Sequence, residues 1–266
     1  MAPKILHSLE ELYTYIDIHK YKNISFHHHL RNGDFVMNDV LKIYLENNVQ
    51  DINLFPSAIF PSYNMITNLI MNNQINNITT NYLNGPVSDA IMTHGINGTL
   101  TMQTHGGRAR SIKEHRNQID IAYIATPYVD TLGNGVGYLG KNKCGSLGYA
   151  IPDSQYAKIT VLITDTLSEN QLIEKEIDGS DVDFIVLVDS IGNSEGIVSG
   201  TTAITTNPIG VKIAKNTSKL MNELGVIKQG YSFQSGAGGV SLRVTKDVKE
   251  IMKKQQIKAS FFSGGI

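Results

Sequence analysis

Asp183-Phe184-Ile185-Val186-Leu187-Val188-Asp189 is apolar and largely β-branched between its two acids, and Ile159-Thr160-Val161-Leu162-Ile163-Thr164 reads the same way. Runs with no polar face suit strands buried on both sides, as in a parallel sheet covered by helices. Working outward, further strands are predicted over 24–28, 51–55, 78–82, 100–104 and 119–125. Helices are predicted between them: one after Gly33 with Val36, Val40 and Tyr44 on one face, then 62–71, 87–94 and 109–115. Ser8 and Glu11 fit a capping box opening a helix over 9–19. Downstream, a helix over 211–224 aligns Ile213, Thr217, Leu220 and Leu224, and a last helix aligns Val240, Val244, Val248 and Ile251. Strand alternating with helix predicts an α/β fold, a mostly parallel sheet flanked by helices. The expected organisation is a helical lead-in over 1–23 and one α/β domain over 24–266, with no repeat or linker.

The 266 residues are 41% hydrophobic and 18% charged with a net charge of -1, which fits a globular chain and argues against a dedicated nucleic-acid binder. The one cysteine, Cys144, permits no intramolecular disulfide, consistent with a reducing compartment. Neither a signal peptide nor a membrane span is apparent, so a cytoplasmic protein without membrane contact is expected. An anionic ligand must be held by local groups. Arginine is scarce (Arg31, Arg108, Arg110, Arg116 and Arg243), and three of these five sit beside glycines at expected strand ends.

Ligands of open α/β sheets bind at the carboxyl ends of the strands, so the loops there carry the functional reading. His27, His28 and His29 allow three readings: a metal site, packing on the sheet, or the polar wall of a pocket. No carboxylate or cysteine at a suitable spacing completes a metal set. Arg31, Asn32 and Gly33 follow at a helix entry, where backbone N–H groups favour an anion. In Thr104-His105-Gly106-Gly107-Arg108-Ala109-Arg110, the glycines admit a ligand close to the backbone and arginine can grip a carboxylate. The bland alternative is a glycine turn whose arginines pair with surface acids.

Gly236, Ala237, Gly238 and Gly239 follow a β-like run and open the last helix. A loop of small residues there suits a pyrophosphate or a developing oxyanion, or only tight packing of helix on strand. Gly135, Gly137 and Gly140 match G-x-G-x-x-G in the wrong context and read as a chance match or a hairpin. Cys144 has no partner pattern for a nucleophile and reads as an inert thiol. Tyr82, Tyr123 and Tyr149 suit a pocket lining and the core equally well.

These loops together resemble the first half of citrate lyase alpha subunits. The resemblance is carried by Ser25-Phe26-His27-His28-His29-Leu30-Arg31-Asn32-Gly33-Asp34, Thr104-His105-Gly106-Gly107-Arg108 and Cys144-Gly145-Ser146-Leu147-Gly148-Tyr149-Ala150. It continues through Val188-Asp189-Ser190-Ile191-Gly192 and Gly196-Ile197-Val198-Ser199-Gly200-Thr201-Thr202 to Phe233-Gln234-Ser235-Gly236-Ala237-Gly238-Gly239. It spans nearly the whole chain and implies a CoA-transferase-like fold, first half.

The implied reaction exchanges the acetyl group of an acyl-carrier protein for citrate, releasing acetate. The partners implied are the acyl-carrier (gamma) subunit and a citryl-lyase (beta) subunit. The thiol belongs to a CoA-like prosthetic group on the carrier, with no cofactor bound by this chain. For that chemistry Arg31, Arg108 and Arg110 are the candidate carboxylate clamps, and His27, His28 and His105 the donors. Asn32, Gly106, Gly107, Ser199 and Thr201 complete the expected substrate site, and 236–239 is the expected oxyanion cradle.

CoA-transferases that form an enzyme thioester place a glutamate on the strand after the last helix. Here Ser260 stands about where it would be, and no carboxylate follows Glu250. The expectation is therefore direct transfer through a mixed anhydride, without a covalent enzyme intermediate. Two other readings stay open: half of a glutamate-dependent CoA-transferase, and a non-catalytic domain for carboxylate binding or assembly. Family members continue for about the same length again, which leaves open that this site is incomplete alone.

Overall fold

The structure is a computed structural model that describes residues 3–198, 203–236 and 238–263. Contacts divide the chain into two compact units, Met1–Val198 and Ser199–Ile266. The sequence reading draws its one boundary at 23/24, whereas these contacts draw theirs at 198/199.

The first unit is built on an eight-stranded sheet. From edge to edge its strands are Lys4–Leu6, Phe184–Leu187, Ile159–Thr164, Ile121–Ala125, Asn23–Phe26, Ile52–Pro56, Ile75–Thr80 and Leu100–Met102, every neighbouring pair parallel. The apolar runs that predicted this sheet are explained by its two cores. Ile121, Tyr123, Val161, Ile163 and Val186 enter one, while Ala122, Ile124, Leu162 and Ile185 enter the other. Alternate residues of a strand point to opposite faces, so a strand with helices on both sides is mostly apolar, and its few polar residues, such as Thr160 and Thr164, are buried. Helices Val36–Glu46, Asn64–Met71 and Pro86–Thr93 contribute to the first core; His105–Lys113 and Ala150–Tyr156 contribute to the second.

The chain enters the sheet interior at Asn23–Phe26, moves outward through three strands to Leu100–Met102, then returns to Ile121–Ala125 on the other side. The direction of winding reverses between Asn23–Phe26 and Ile121–Ala125. At such a switch point the loops after neighbouring strands run apart, and the crevice between them is where an α/β sheet takes a ligand.

Several elements differ from the sequence expectation. The predicted helix over 9–19 is only Leu9–Leu12. Half of its capping box forms, Ser8 Oγ accepting the Glu11 N–H (3.1 Å), while the Glu11 carboxylate reaches past the cap to accept the His7 N–H (2.8 Å). Beyond Leu12 local bonds take over: Thr14 donates its hydroxyl to the Glu11 carbonyl and Asp17 accepts the His19 N–H. Ahead of this helix, Lys4–Leu6 is an edge strand too short to be read from pattern. Gly135–Val136 pairs antiparallel with Tyr128–Asp130, which decides between the two readings of the glycine pattern in favour of a hairpin. The helix predicted over 109–115 begins earlier, at His105. Thr104 Oγ1 accepts the Gly107 N–H (3.0 Å) and caps it, and the two glycines lie in its first turn instead of a loop.

The second unit contains two helices, Pro208–Glu223 and Gly239–Gln255, and a parallel pair of strands, Ser232–Gln234 and Phe261–Ser263. Val244 and Val248 are buried as predicted. The other predicted stripe is not: Ile213, Leu220 and Leu224 are exposed, and Gly210, Ala214 and Ser218 are the buried positions. Packing on a neighbouring helix is closer through small residues, and a Cβ at Gly210 would sit against Val240.

In the first unit the backbone of 33 crosses that of 192–196 without space for a side chain. Asn193 donates its N–H to the Gly33 carbonyl (2.8 Å), and a Cβ at Gly33 would strike the Asn193 carbonyl oxygen. Gly33→Ala should therefore lower stability by about 1–3 kcal/mol, the usual scale of overpacking, read as a lower urea midpoint.

Candidate functional site

Asn23–Phe26 ends one residue before the histidine run, which places His27, His28 and His29 in the loop at the crevice. Each ring has a different partner. His29 donates from Nε2 to the Ala125 carbonyl (2.6 Å) and so ties the two diverging strand ends together. His28 packs against Ser57: its backbone N–H bonds Ser57 Oγ (3.0 Å), and its Nδ1 lies 2.7 Å from the same oxygen. His27 is buried, with Nε2 3.1 Å from Asp153 Oδ2, an ion contact without the alignment of a good hydrogen bond. The described residues contain no group of three His, Cys, Asp or Glu side chains able to hold a metal ion.

Arg108 lies behind His27 and is 1% exposed. Its guanidinium meets both oxygens of Asp153, each at 2.7 Å, and also donates to the Phe55 carbonyl (3.0 Å). Burial pushes the Asp153 carboxyl up, but Arg108 and His27 outweigh that and hold it well below the usual carboxylate range. Sequence reasoning expects Arg108 to grip a substrate carboxylate; in the structure the carboxylate it grips is Asp153. Arg110 is exposed and paired with Glu114 at 2.6 Å, the surface pairing named as the bland alternative.

In front of this anchor runs a row of rings. Tyr82 lies 5.7 Å from Phe60, Phe60 6.0 Å from His28, His28 5.4 Å from Tyr149, and Tyr149 5.3 Å from His105. Tyr82 and Tyr149 thus belong to the crevice. Tyr123 belongs to the core, its hydroxyl 3.1 Å from that of Tyr44. His105 and Gly106 open their helix, and nothing would meet a Cβ at Gly106, so the backbone there is open to a ligand. Gly107 is covered by the Thr104 cap.

Arg31 and Asn32 lie in the short 3-10 turn Arg31–Gly33, with Arg31 at φ +52°. Tyr63 donates its hydroxyl to the Arg31 carbonyl (3.3 Å). The first unit therefore brings together His27, His28, Arg31, Asn32, His105, Gly106, Gly107 and Arg108. Gly236, Gly238 and Gly239 lie in the second unit, and Ala237, Ser199 and Thr201 fall outside the described residues. Nothing would meet a Cβ at Gly238, whereas one at Gly239 would press on the Ala203 carbonyl, so packing accounts for the last glycine of the loop. Cys144 is half-buried, and burial with the nearby Glu176 charge pushes its thiol up to about 12, as an inert thiol requires.

Sequence reasoning missed Asp153 and Ser57. Asp153 sits on a seven-residue helix, Ala150–Tyr156, too short for a periodic signal, and Ser57 is a lone serine after a strand. Only the position of Ser57 at a strand end could have pointed to it; nothing local points to Asp153.

This fold is that of CoA-transferases: an acyl-CoA transferase from Escherichia coli O157:H7 aligns over 99% of the chain with a TM-score of 0.64 at 11% identity, a likeness of fold alone. The chain belongs to the citrate lyase alpha subunit family, whose family model matches residues 2–266. It is 36% identical over 263 residues to the citrate lyase alpha chain of Haemophilus influenzae and 35% identical to that of Klebsiella pneumoniae. It covers 99% of its own length in both, and 53% and 52% of theirs, so it spans about half the length of these curated relatives. The crystal structure of the citrate lyase alpha subunit from Streptococcus mutans in complex with citrate matches with a TM-score of 0.89 and 40% identity, covering 99% of this chain and 52% of that one.

Two predictions follow from the buried groups. Arg108→Ala leaves Asp153 buried without its partner and should cost about 3–5 kcal/mol of stability in a denaturant titration. A surface clamp would instead lose ligand affinity with the fold unchanged.

The second concerns pH. Burial holds His28 down to about 4 and His29 to about 3, below the ordinary 6.5. Burial raises Asp34, beside this loop, from 3.8 to about 7. The histidine contributions to stability are present above pH 6.5 and are lost as pH falls towards 4 and 3. The Asp34 contribution has the opposite sense, present below 3.8 and lost as pH rises through 7. Between these limits the native state binds fewer protons at the histidines and one more at Asp34. Asp34→Asn, which keeps an acceptor for the Val36 N–H, removes the opposing proton. Stability should then rise with pH more steeply between about 4.5 and 6, by roughly 1.4 kcal/mol per pH unit.

Proposed function

We propose that this chain contributes the citrate-handling site of an acyl-carrier transferase, exchanging acetate for citrate on a carrier thioester. The observation that carries the reading is the constellation at the winding reversal: His28, held neutral by burial, and an open helix start at His105–Gly106 beside it. It occurs in a chain of the family whose Streptococcus mutans member is described in complex with citrate.

In the proposed sequence, one citrate carboxylate oxygen attacks the acetyl thioester carbonyl, and the carrier thiolate leaves. A citric–acetic mixed anhydride results. The thiolate then attacks the citryl carbonyl of that anhydride, and acetate leaves with the electron pair of the broken C–O bond. Both steps pass through a tetrahedral oxyanion, so fixed N–H donors are the main contribution asked of the protein. Held close together, carboxylate and thioester also react without the entropy loss of a bimolecular encounter. His28 and the first turn of His105–Lys113 are our candidate donors, with Arg31 and Asn32 beside them. Arg108 acts behind the site, holding the loop and the helix in place. Described residues 256–263 contain no carboxylate, which supports direct transfer over a glutamyl thioester from this segment.

The acyl-carrier (gamma) and citryl-lyase (beta) subunits are the proposed partners, with the CoA-like thiol supplied by the carrier. Acetylated carrier, citrate and this chain should be mixed without the lyase subunit and the carrier followed by mass spectrometry. A shift from acetyl- to citryl-carrier is expected, with or without the remaining length seen in the relatives. No shift in either case would overturn the transferase reading.

A further inference from the structure

Ser57 lies at the end of the strand next to the histidine loop and is fully buried. Its oxygen accepts the His28 backbone N–H (3.0 Å), which leaves its own hydroxyl proton to be placed. A buried hydroxyl donor without an acceptor is costly. Among the described residues its only other polar neighbour within hydrogen-bond distance is His28 Nδ1, at 2.7 Å. If Nδ1 carried the proton, Ser57 would accept two N–H groups and have nowhere to donate. If Nδ1 is the acceptor, every group is satisfied, and the ring proton of the neutral imidazole must be on Nε2.

Nε2 has no hydrogen-bond partner among the described residues, and it is not among their buried unpartnered atoms. It is therefore reachable from the crevice, flanked by Tyr149 and Phe60. Positive charge on any of the basic groups that face the ring discourages a second proton there. They are His27 on its own loop, His105 and Arg108 on the helix opposite, and Arg31 on the turn that follows, all adding to the effect of burial.

We propose that Ser57 is a positioning residue that fixes His28 as the Nε2–H tautomer, so that the ring presents one neutral N–H donor to a carbonyl or carboxylate oxygen in the crevice. The donor's use in catalysis rests on the transferase reading above; its tautomer does not. A neutral donor has a specific advantage for an acyl acceptor that attacks as a carboxylate. An imidazolium would pair with the nucleophile and could protonate it, whereas a neutral N–H can hold an oxygen through both ground state and oxyanion without giving up its proton.

The test is histidine tautomer NMR on the 15N-labelled chain at pH 7, with the His28 signals identified by their loss in His28→Asn. The expected pattern is a protonated Nε2 and an unprotonated Nδ1 that stays unchanged down to about pH 5. An Nδ1–H pattern in the unmodified chain would overturn the proposal at once, whatever the variants do. In Ser57→Ala the Nδ1–H form should become detectable. The His28 titration midpoint should rise by roughly half to one pH unit, the weight of one hydrogen bond. Ser57→Thr, which keeps the hydroxyl, should restore the original pattern. If Ser57→Ala leaves tautomer and midpoint unmoved, Ser57 is not what fixes the ring. Because none of these readings requires turnover, they remain decisive even if the carrier assay fails.

Discussion

The Arg108–Asp153 pair holds together the part of the sheet where the winding reverses. Arg108 comes from the helix His105–Lys113 and Asp153 from the helix Ala150–Tyr156; the same guanidinium reaches the Phe55 carbonyl at a strand end, and the same carboxylate lies beside His27. One ion pair therefore fixes two helices, a strand end and the histidine loop. Removing two charges from water costs several kcal/mol, and the pair recovers this only because both carboxylate oxygens are matched by guanidinium nitrogens. The match is not perfect: Ser25 Oγ, His27 Nδ1 and Arg108 Nε are buried nearby without partners. A hydrophobic replacement would fill the space, but it would not aim a helix start and a histidine at one crevice.

The architecture was legible because it depends on composition along strands. Runs such as 159–164 and 184–187 have almost no polar residue on either face, and a sheet with a core on each face accounts for that. The site was legible only as a set of segments. His28, Arg31, Asn32, His105 and Gly106 lie where the strand ends implied, since glycine and polar residues gather at loops. Arg108 shows the limit: an arginine after two glycines reads as a ligand clamp, and no local signal reveals that a carboxylate 45 residues away is its partner. Likewise Ile213, Leu220 and Leu224 carry the helical period of a buried face yet are exposed, because the packing face is the small-residue one. Periodicity identifies a helix; it does not say which neighbour the helix meets.

The electrostatic design follows from the same burial. The chain has a net charge of -1, so no global field draws a polyanion to it. Burial also keeps His28 and His29 neutral at neutral pH. On the proposed reading, recognition of an anion would come from oriented dipoles and cations close by, with Arg31, on its left-handed turn, a candidate. Dipoles fixed by the fold need no reorientation when charge develops on a reacting oxygen, which is where their contribution to rate arises.

That arrangement makes geometry the controlling variable. A neutral donor displaced by an ångström loses most of its effect on an oxyanion, whereas a cation acts over a longer range. On the proposed reading, the close approaches around the crevice would therefore matter to the chemistry. Gly33 set against Asn193, His29 bound to Ala125, Ser57 bound twice to His28, and Arg108 buried against Asp153 each remove freedom from a loop that would otherwise be mobile. A site built from cations could tolerate a looser frame; one that relies on a neutral N–H, as proposed for His28, could not, and the buried Arg108–Asp153 pair is what keeps this frame tight.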